Sequence, residues 1–272
     1  MAKAQKYRQT LKDRVRKGFN ENPLCIIAFD ELEKDIEVQT MLEDTNRMAI
    51  DRMGYSDHGH THSLIVVKNG IQLLNTLEQG VKTTLEQEET GTFQDAQVVV
   101  LLGCYLHDLG MTVHRESHNI FSVTLATPIV ERILKKVYPK DFRKQIHIRG
   151  HVLHAILCHD KFITPSTIEA GVVGIADALD MTKGRARIPF EQGSVNIHSA
   201  SAMAIEDVKI KKGELKPVRI EVTMNNASGI FQIQELLERK IRNASEITNH
   251  IELVAIMSEH GEAIIDKELK IL

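Results

Sequence analysis

The sequence predicts a mainly α-helical protein that carries a small α+β domain at its C-terminus. The first observation is the segment VVVLLGCYLHDLGM, Val98–Met111, whose first nine residues are apolar, aromatic or glycine. A helix that is apolar on every face is a buried helix, so this segment predicts the centre of a helical bundle. The second observation is helical patterning before Pro189, and the third is strand-like alternation after it.

Helical patterns cover the chain up to about residue 190. Their predicted ranges are 2–18, 31–53, 58–85, 95–109, a stretch that ends at 134, 142–159 and 167–181. The apolar run LCIIA at 24–28 fits either a helix or a strand. Gly54 ends the helix at 31–53, and Asp57 is a candidate cap for the helix that follows.

After Pro189 the pattern changes to a β-β-α-β-β order. Strands are predicted at 205–211 and 218–224, a helix at 231–241, and two further strands at 251–257 and 263–271. The predicted organisation is N-terminal helices that pack on the core (1–54), a helical domain (55–190) and a small α+β domain (191–272). Small sheets of this kind often mediate association between chains. A homo-oligomer formed through this domain is therefore possible.

Composition excludes several classes of protein. The net charge of the 272 residues is −3, without the basic excess of a general nucleic-acid binder. No window approaches the roughly 18 to 20 apolar residues of a membrane span, and the basic N-terminus lacks the apolar segment of a signal peptide. Three widely spaced cysteines argue against a disulfide framework, so we expect a cytoplasmic protein.

Six histidines and aspartates lie beside apolar residues on predicted helices. They are His62, His107, Asp108, His118, His159 and Asp177. Burying an unpaired carboxylate costs several kcal/mol, and a bound metal cation is the simplest partner for an adjacent His and Asp. Imidazole and carboxylate together suit Mn, Fe, Zn, Co or Ni. The set is large enough for one or two divalent transition-metal ions, with one carboxylate bridging a pair.

The order H…HD…H…H…D resembles that of the HD-domain metal-dependent phosphohydrolases. The local contexts DHGHTH, LLGCYLHDLGM and GIADALDMTKGRAR carry the resemblance, which covers about residues 55–190. The chain looks most like an uncharacterised archaeal-type branch in which the HD domain has a C-terminal α+β extension. The resemblance implies an HD-type helical bundle, a divalent-metal centre and hydrolysis of phosphate esters, commonly those of nucleotides.

Asp108 is the residue expected to be central to catalysis, because it could bridge two ions. A metal ion lowers the pKa of water from 15.7 toward roughly 7, which supplies hydroxide without a dedicated base. The expected partner is a small phosphorylated substrate, a nucleotide in the first instance. The alternative is a nucleotide-binding sensor that keeps the HD pocket but turns nothing over. Because every candidate ligand is present, the enzyme is the preferred hypothesis.

Six other basic residues near the candidate ligands could contact the substrate. Each could equally be an ordinary surface residue. They are His58, Arg115, His154, Lys183, Arg185 and Arg187. His154 also competes with His118 and His159 for a place around a second ion. Asp180 could orient a ligand or cap a helix, and capping is the preferred interpretation. The HxHxH spacing of His58, His60 and His62 is also found in metallo-β-lactamase-type hydrolases, but that site needs a preceding strand, which the pattern here does not predict.

Overall fold

The computed structural model describes residues 2–182, 201–258 and 268–272. In the first of these ranges the helices are α1 (Ala2–Gly18), α2 (Pro23–Lys34), α3 (Ile36–Asn46), α4 (His60–Leu77), α5 (Thr84–Gln87), α6 (Phe93–Leu106), α7 (His118–Val137), α8 (Phe142–Cys158) and α9 (Ile168–Ala178). A π-helical turn (Arg47–Arg52) follows α3, and a 3-10 turn (Leu109–Thr112) follows α6. The prediction of a mainly helical protein is confirmed. Among the described helices, none combines the length and the apolar character that crossing a membrane requires.

Helix α6 is the centre of the bundle, as the sequence predicts. Every residue from Asp95 to Leu106 is buried, and α2, α4, α8 and α9 all pack against this helix. Its start is fixed by a capping box, in which Thr92 and Asp95 each accept a hydrogen bond from the other's backbone N–H. Since a fully buried aliphatic side chain contributes about 1.5–3 kcal/mol, α6 is a main source of the stability of the bundle.

Two helix boundaries differ from the sequence prediction. The helix expected at 31–53 is interrupted at Asp35, which has an extended backbone and accepts a hydrogen bond from Val38 N as the cap of α3. The undecided run at 24–28 lies in α2, whose start is capped by Asn22. The helix expected to reach residue 85 ends at Leu77. Side-chain caps fix the starts of α2 and α3, and apolar spacing alone does not show them.

The C-terminal part forms one four-stranded sheet with the order β1 (Ile205–Lys212), β2 (Val218–Met224), β3 (Ile251–Met257), β4 (Glu268–Lys270). The pairs β1–β2 and β3–β4 are antiparallel, and β2–β3 is parallel. A parallel pair needs a crossover connection. Here it consists of α10 (Gly229–Gln232), a π-helical segment (Ile233–Glu238), α11 (Arg239–Asn243) and α12 (Ser245–Thr248). The predicted β-β-α-β-β order is confirmed.

This C-terminal extension packs against α4 and α9. Gln72 Nε2, on α4, donates a hydrogen bond to the carbonyl oxygen of Ile210 over 2.9 Å. On the other side, α9 approaches α12 closely at Gly171, where an added Cβ would lie 3.2 Å from Cδ1 of Ile247. The extension therefore rests on the two helices that supply His62 and Asp177.

Candidate metal centre

The six candidate ligands come together from five segments of the helical bundle. His62 lies in the first turn of α4, and His107 and Asp108 directly follow α6. The other three side chains come from the start of α7 (His118), the residue after α8 (His159) and the last turn of α9 (Asp177). All four histidines and Asp108 are buried. The structure therefore brings the six side chains to one place in the bundle.

The first group of ligand atoms surrounds a point between α4, α6 and α9. The Nε2 atom of His62 lies 3.3 Å from Nε2 of His107 and 3.3 Å from Oδ1 of Asp177. Oδ2 of Asp108 lies 3.4 Å from Nε2 of His62 and 3.2 Å from Nε2 of His107. With a metal–ligand distance of about 2.1 Å, ligand atoms in a tetrahedral shell are about 3.4 Å apart. The four atoms have the spacing that one divalent ion requires.

A second group of ligand atoms lies on the other side of Asp108. Its Oδ1 atom is 3.4 Å from Nε2 of His118 and 3.7 Å from Nε2 of His159. The two histidine nitrogens are 3.0 Å apart. Asp108 thus presents one carboxylate oxygen to each pair of histidines. This arrangement could hold two ions with Asp108 between them.

The hydrogen bonds of the four histidines determine which ring nitrogen faces the centre. Each Nδ1 atom donates to an oxygen: His62 to Asp180 Oδ2 (2.6 Å), His107 to Cys104 O (2.9 Å), His118 to Arg115 O (3.0 Å) and His159 to Ile156 O (2.6 Å). An oxygen without hydrogen can only accept, so each Nδ1 carries the proton. When these rings are neutral, each Nε2 carries a lone pair that faces a carboxylate oxygen or the Nε2 of another histidine. Such lone pairs repel one another. A cation relieves this repulsion, so the residues fit a divalent metal.

Charges inside the centre shift several pKa values. Burial alone would lower the pKa of His107, but Asp108 and Asp177 raise it to about 9. Burial would raise the pKa of Asp108, yet His107, His118 and His62 hold it well below its usual range. Burial, together with the charges of His107 and His118, keeps the pKa of His159 well below the ordinary value. The Asp108 carboxylate thus depends on positive charge close by, a role that a metal cation can also fill.

Gly110 explains how α7 reaches the His–Asp pair. A Cβ added at Gly110 would lie 2.0 Å from the carbonyl oxygen of His118 and 2.5 Å from the backbone N of Ser122. The Gly110 N–H donates to Ser122 Oγ over 2.8 Å. A side chain at this position would push α7 away, so glycine is needed to bring His118 next to Asp108.

Three of the predicted substrate contacts lie in the described part of the chain. His58 is buried, and its ring centroid is 5.6 Å from that of His62. Arg115 is exposed, with its guanidinium 5.7 Å from the centre of the Tyr55 ring. His154 is hydrogen-bonded away from the six: its Nε2 accepts from the Ser166 N–H over 3.0 Å. The remaining three, Lys183, Arg185 and Arg187, lie outside the described residues.

One residue of the site has a different role from the one preferred on sequence grounds, and another was not identified from the sequence. For Asp180 the preferred interpretation, a helix cap, gives way to ligand orientation, because the carboxylate binds Nδ1 of His62. Lys240, on α11 of the extension, places Nζ 2.5 Å from Oδ2 of Asp177. Its charge is the largest influence opposing burial at Asp177, whose pKa lies well below the usual range. The spacing of three residues from Asp177 leaves ligand orientation as the alternative role of Asp180, whereas no sequence pattern marks Lys240.

A helical bundle that gathers three histidines and one aspartate around an adjacent His–Asp pair defines a class of metal-binding domain. The HD domain family matches residues 59–182 of the chain. An uncharacterised protein of Methanocaldococcus jannaschii is 47% identical over 230 residues, which cover 84% of this chain and 88% of the relative. No solved structure matches. The chain belongs to the HD-domain superfamily of metal-dependent phosphohydrolases.

Proposed function

We propose that the protein hydrolyses a phosphomonoester or phosphodiester of a nucleotide with the help of two divalent transition-metal ions. The observation that carries the proposal is the position of Asp108, whose two oxygens face two different histidine pairs at 3.2–3.7 Å. His62, His107, Asp108 and Asp177 would hold one ion, and His118, His159 and Asp108 the other. When bound, such ions activate water and neutralise charge on phosphate oxygens.

The residues of the chain support this chemistry in a specific way. Hydrogen bonds from Nδ1 fix each imidazole ring, so the ligand atoms need little rearrangement when an ion binds. Burial of Asp108 and His107 lowers the local dielectric, which strengthens each electrostatic interaction with a phosphate group. The Nδ1–H of His107 is committed to the Cys104 carbonyl, which leaves Nε2 of His107 for the metal.

A cleft beside His159 is the proposed entrance for the phosphate. It lies between α8, α9 and α11. Lys161 and Lys240 line it; because Lys240 is paired with Asp177, Lys161 is the positive charge that an entering phosphate group would meet. A cytoplasmic location is part of the proposal, supported by the free state of Cys25, Cys104 and Cys158.

The test compares the wild-type protein with Asp108→Ala and with His147→Ala as a control on the exposed side of α8. Metal content is measured by elemental analysis, and product formation is measured with generic phosphoesters and a panel of nucleotides. Asp108→Ala should lose metal and hydrolysis together, and His147→Ala should keep both. Equal activity of Asp108→Ala would contradict the proposal. Nucleotide binding by the wild type without any product would support the sensor instead.

A further inference from the structure

The ion pair between Lys240 and Asp177 joins the C-terminal extension to the candidate metal centre. Lys240 lies on α11 and Asp177 on α9, 63 positions apart in the chain. Their side chains are only 13% and 17% exposed. Lys240 is outside residues 59–182, the part that matches the HD domain family. The family match therefore gives no role to this lysine.

The two oxygens of Asp177 have different partners. Oδ1 lies 3.3 Å from Nε2 of His62, on the side of the candidate ion, and Oδ2 lies 2.5 Å from Nζ of Lys240. A rotation of the carboxylate that moved Oδ1 away from His62 would also break the ion pair. Outer contacts of this kind hold a ligand in its binding orientation.

Lys240 is itself held in place by the docking of α11. Asn243, one turn later, donates from Nδ2 to the Ile163 carbonyl over 3.1 Å. The Thr164 hydroxyl donates to Asn243 Oδ1 over 2.9 Å. These bonds tie α11 to the loop between α8 and α9, so the ammonium group is fixed relative to Asp177.

We infer that Lys240 is a positioning residue of the metal centre, which fixes Asp177 with Oδ1 toward the ion and makes metal affinity depend on the C-terminal extension. The inference rests on the proposed function. The ammonium group also repels a cation, which opposes this effect. Because Lys240 is paired with a carboxylate at 2.5 Å, the pair acts on the ion as a dipole and not as a full positive charge. Positioning is inferred to outweigh the repulsion, and the Co²⁺ affinity of the charge-free variant measures which effect is larger.

The experiment measures Co²⁺ affinity and the visible absorption spectrum of bound Co²⁺ for the full-length wild type, Lys240→Met and Arg239→Met. Methionine keeps an unbranched apolar side chain and removes the charge. Arg239 is the exposed neighbour on α11 and serves as the matched control. Removing an outer contact of a metal ligand typically costs ten- to a hundredfold in affinity. We expect a loss of about that size, with an altered spectrum, in Lys240→Met alone.

Lys240→Arg separates positioning from a loss of packing, because it restores a cation at the same place. Recovery of the wild-type Co²⁺ spectrum in Lys240→Arg supports the inference. A Lys240→Met protein that binds Co²⁺ more weakly, but in its metal-free form melts at the same temperature as the metal-free wild type, also supports it. If Lys240→Met does not fold, Lys240→Gln takes its place. Unchanged or tighter Co²⁺ binding by the charge-free variant would overturn the inference while leaving the proposed function intact. A wild type that binds no metal would overturn both.

Discussion

His62 donates a hydrogen bond from Nδ1 to Oδ2 of Asp180 over 2.6 Å, while its Nε2 faces Oδ1 of Asp177 at 3.3 Å. The end of α9 therefore supplies a candidate metal ligand and, three residues later, the group that orients another ligand. His62 is held between Asp177, in the last turn of α9, and Asp180, just after the helix ends. Its ring can present Nε2 to an ion without a rearrangement of α4.

Asp180→Ala should weaken metal binding about ten- to a hundredfold, because His62 would lose the acceptor that fixes its ring and tautomer. Asp180→Asn keeps an amide oxygen that can still accept from Nδ1, so its loss should be smaller. Calorimetric titration with Mn²⁺ measures both, with the exposed Asp51→Ala as control. Equal affinity of Asp180→Ala and the wild type would show that the hydrogen bond does not orient His62 for the metal.

In the proposed two-ion centre, His118→Ala should lower the number of bound ions from two to one. His118 and His159 both face Oδ1 of Asp108, at 3.4 Å and 3.7 Å, whereas the atoms around His62 form a separate group. Elemental analysis after removal of free metal gives the count. If His118→Ala still binds the same number of ions as the wild type, the second site is assigned to the wrong residues.

Ionised Glu33 should stabilise the folded protein, and this contribution to the free energy of unfolding should be lost in acid. Burial raises its pKa, but hydrogen bonds from His60, Lys12 and Tyr105 lower it from 4.5 to about 2. A folded-state pKa below the unfolded value means that the contribution is present above pH 4.5 and is lost as the pH falls toward 2. The shift corresponds to at most about 3 kcal/mol, reduced by solvent screening.

Urea unfolding at pH 7 and pH 3 measures this contribution, with Glu33→Gln as the variant that cannot titrate. The stability difference between wild type and Glu33→Gln should be large at pH 7 and shrink at pH 3. A difference that stays constant with pH would contradict the assigned role of Glu33.

Gly70→Ala should destabilise the bundle by about 1–3 kcal/mol through overpacking. A Cβ there would lie 2.7 Å from Cys104 Sγ and 3.0 Å from Val100 Cγ1, at the contact between α4 and α6. Gly150 on α8 is the matched control, since a Cβ there meets nothing within 4 Å. Gly150→Ala should stabilise the protein by up to about 1 kcal/mol. Thermal or urea unfolding gives both values, and a neutral Gly70→Ala would mean that α4 can shift away from α6.

Local patterns in the sequence predicted the parts of the fold that depend on which residues are buried. Uninterrupted apolar residues predicted α6 as the central helix, and alternation predicted the strands of the extension. The same patterns missed the break at Asp35, because a single capping side chain makes it and the apolar spacing runs through it. Hydrophobic spacing reports the buried face of a segment and leaves its ends to capping.

The sequence by itself determined the residue types of the candidate centre and their order, since histidines and aspartates inside apolar helices need partners. Only the tertiary structure decided which atoms meet: that Asp108 divides its oxygens between two histidine pairs, that His154 bonds to Ser166 instead, and that Lys240 reaches Asp177. The physical reason is that these contacts depend on the packing of helices distant in sequence. The local sequence around a residue of the extension does not indicate which helix that residue will contact.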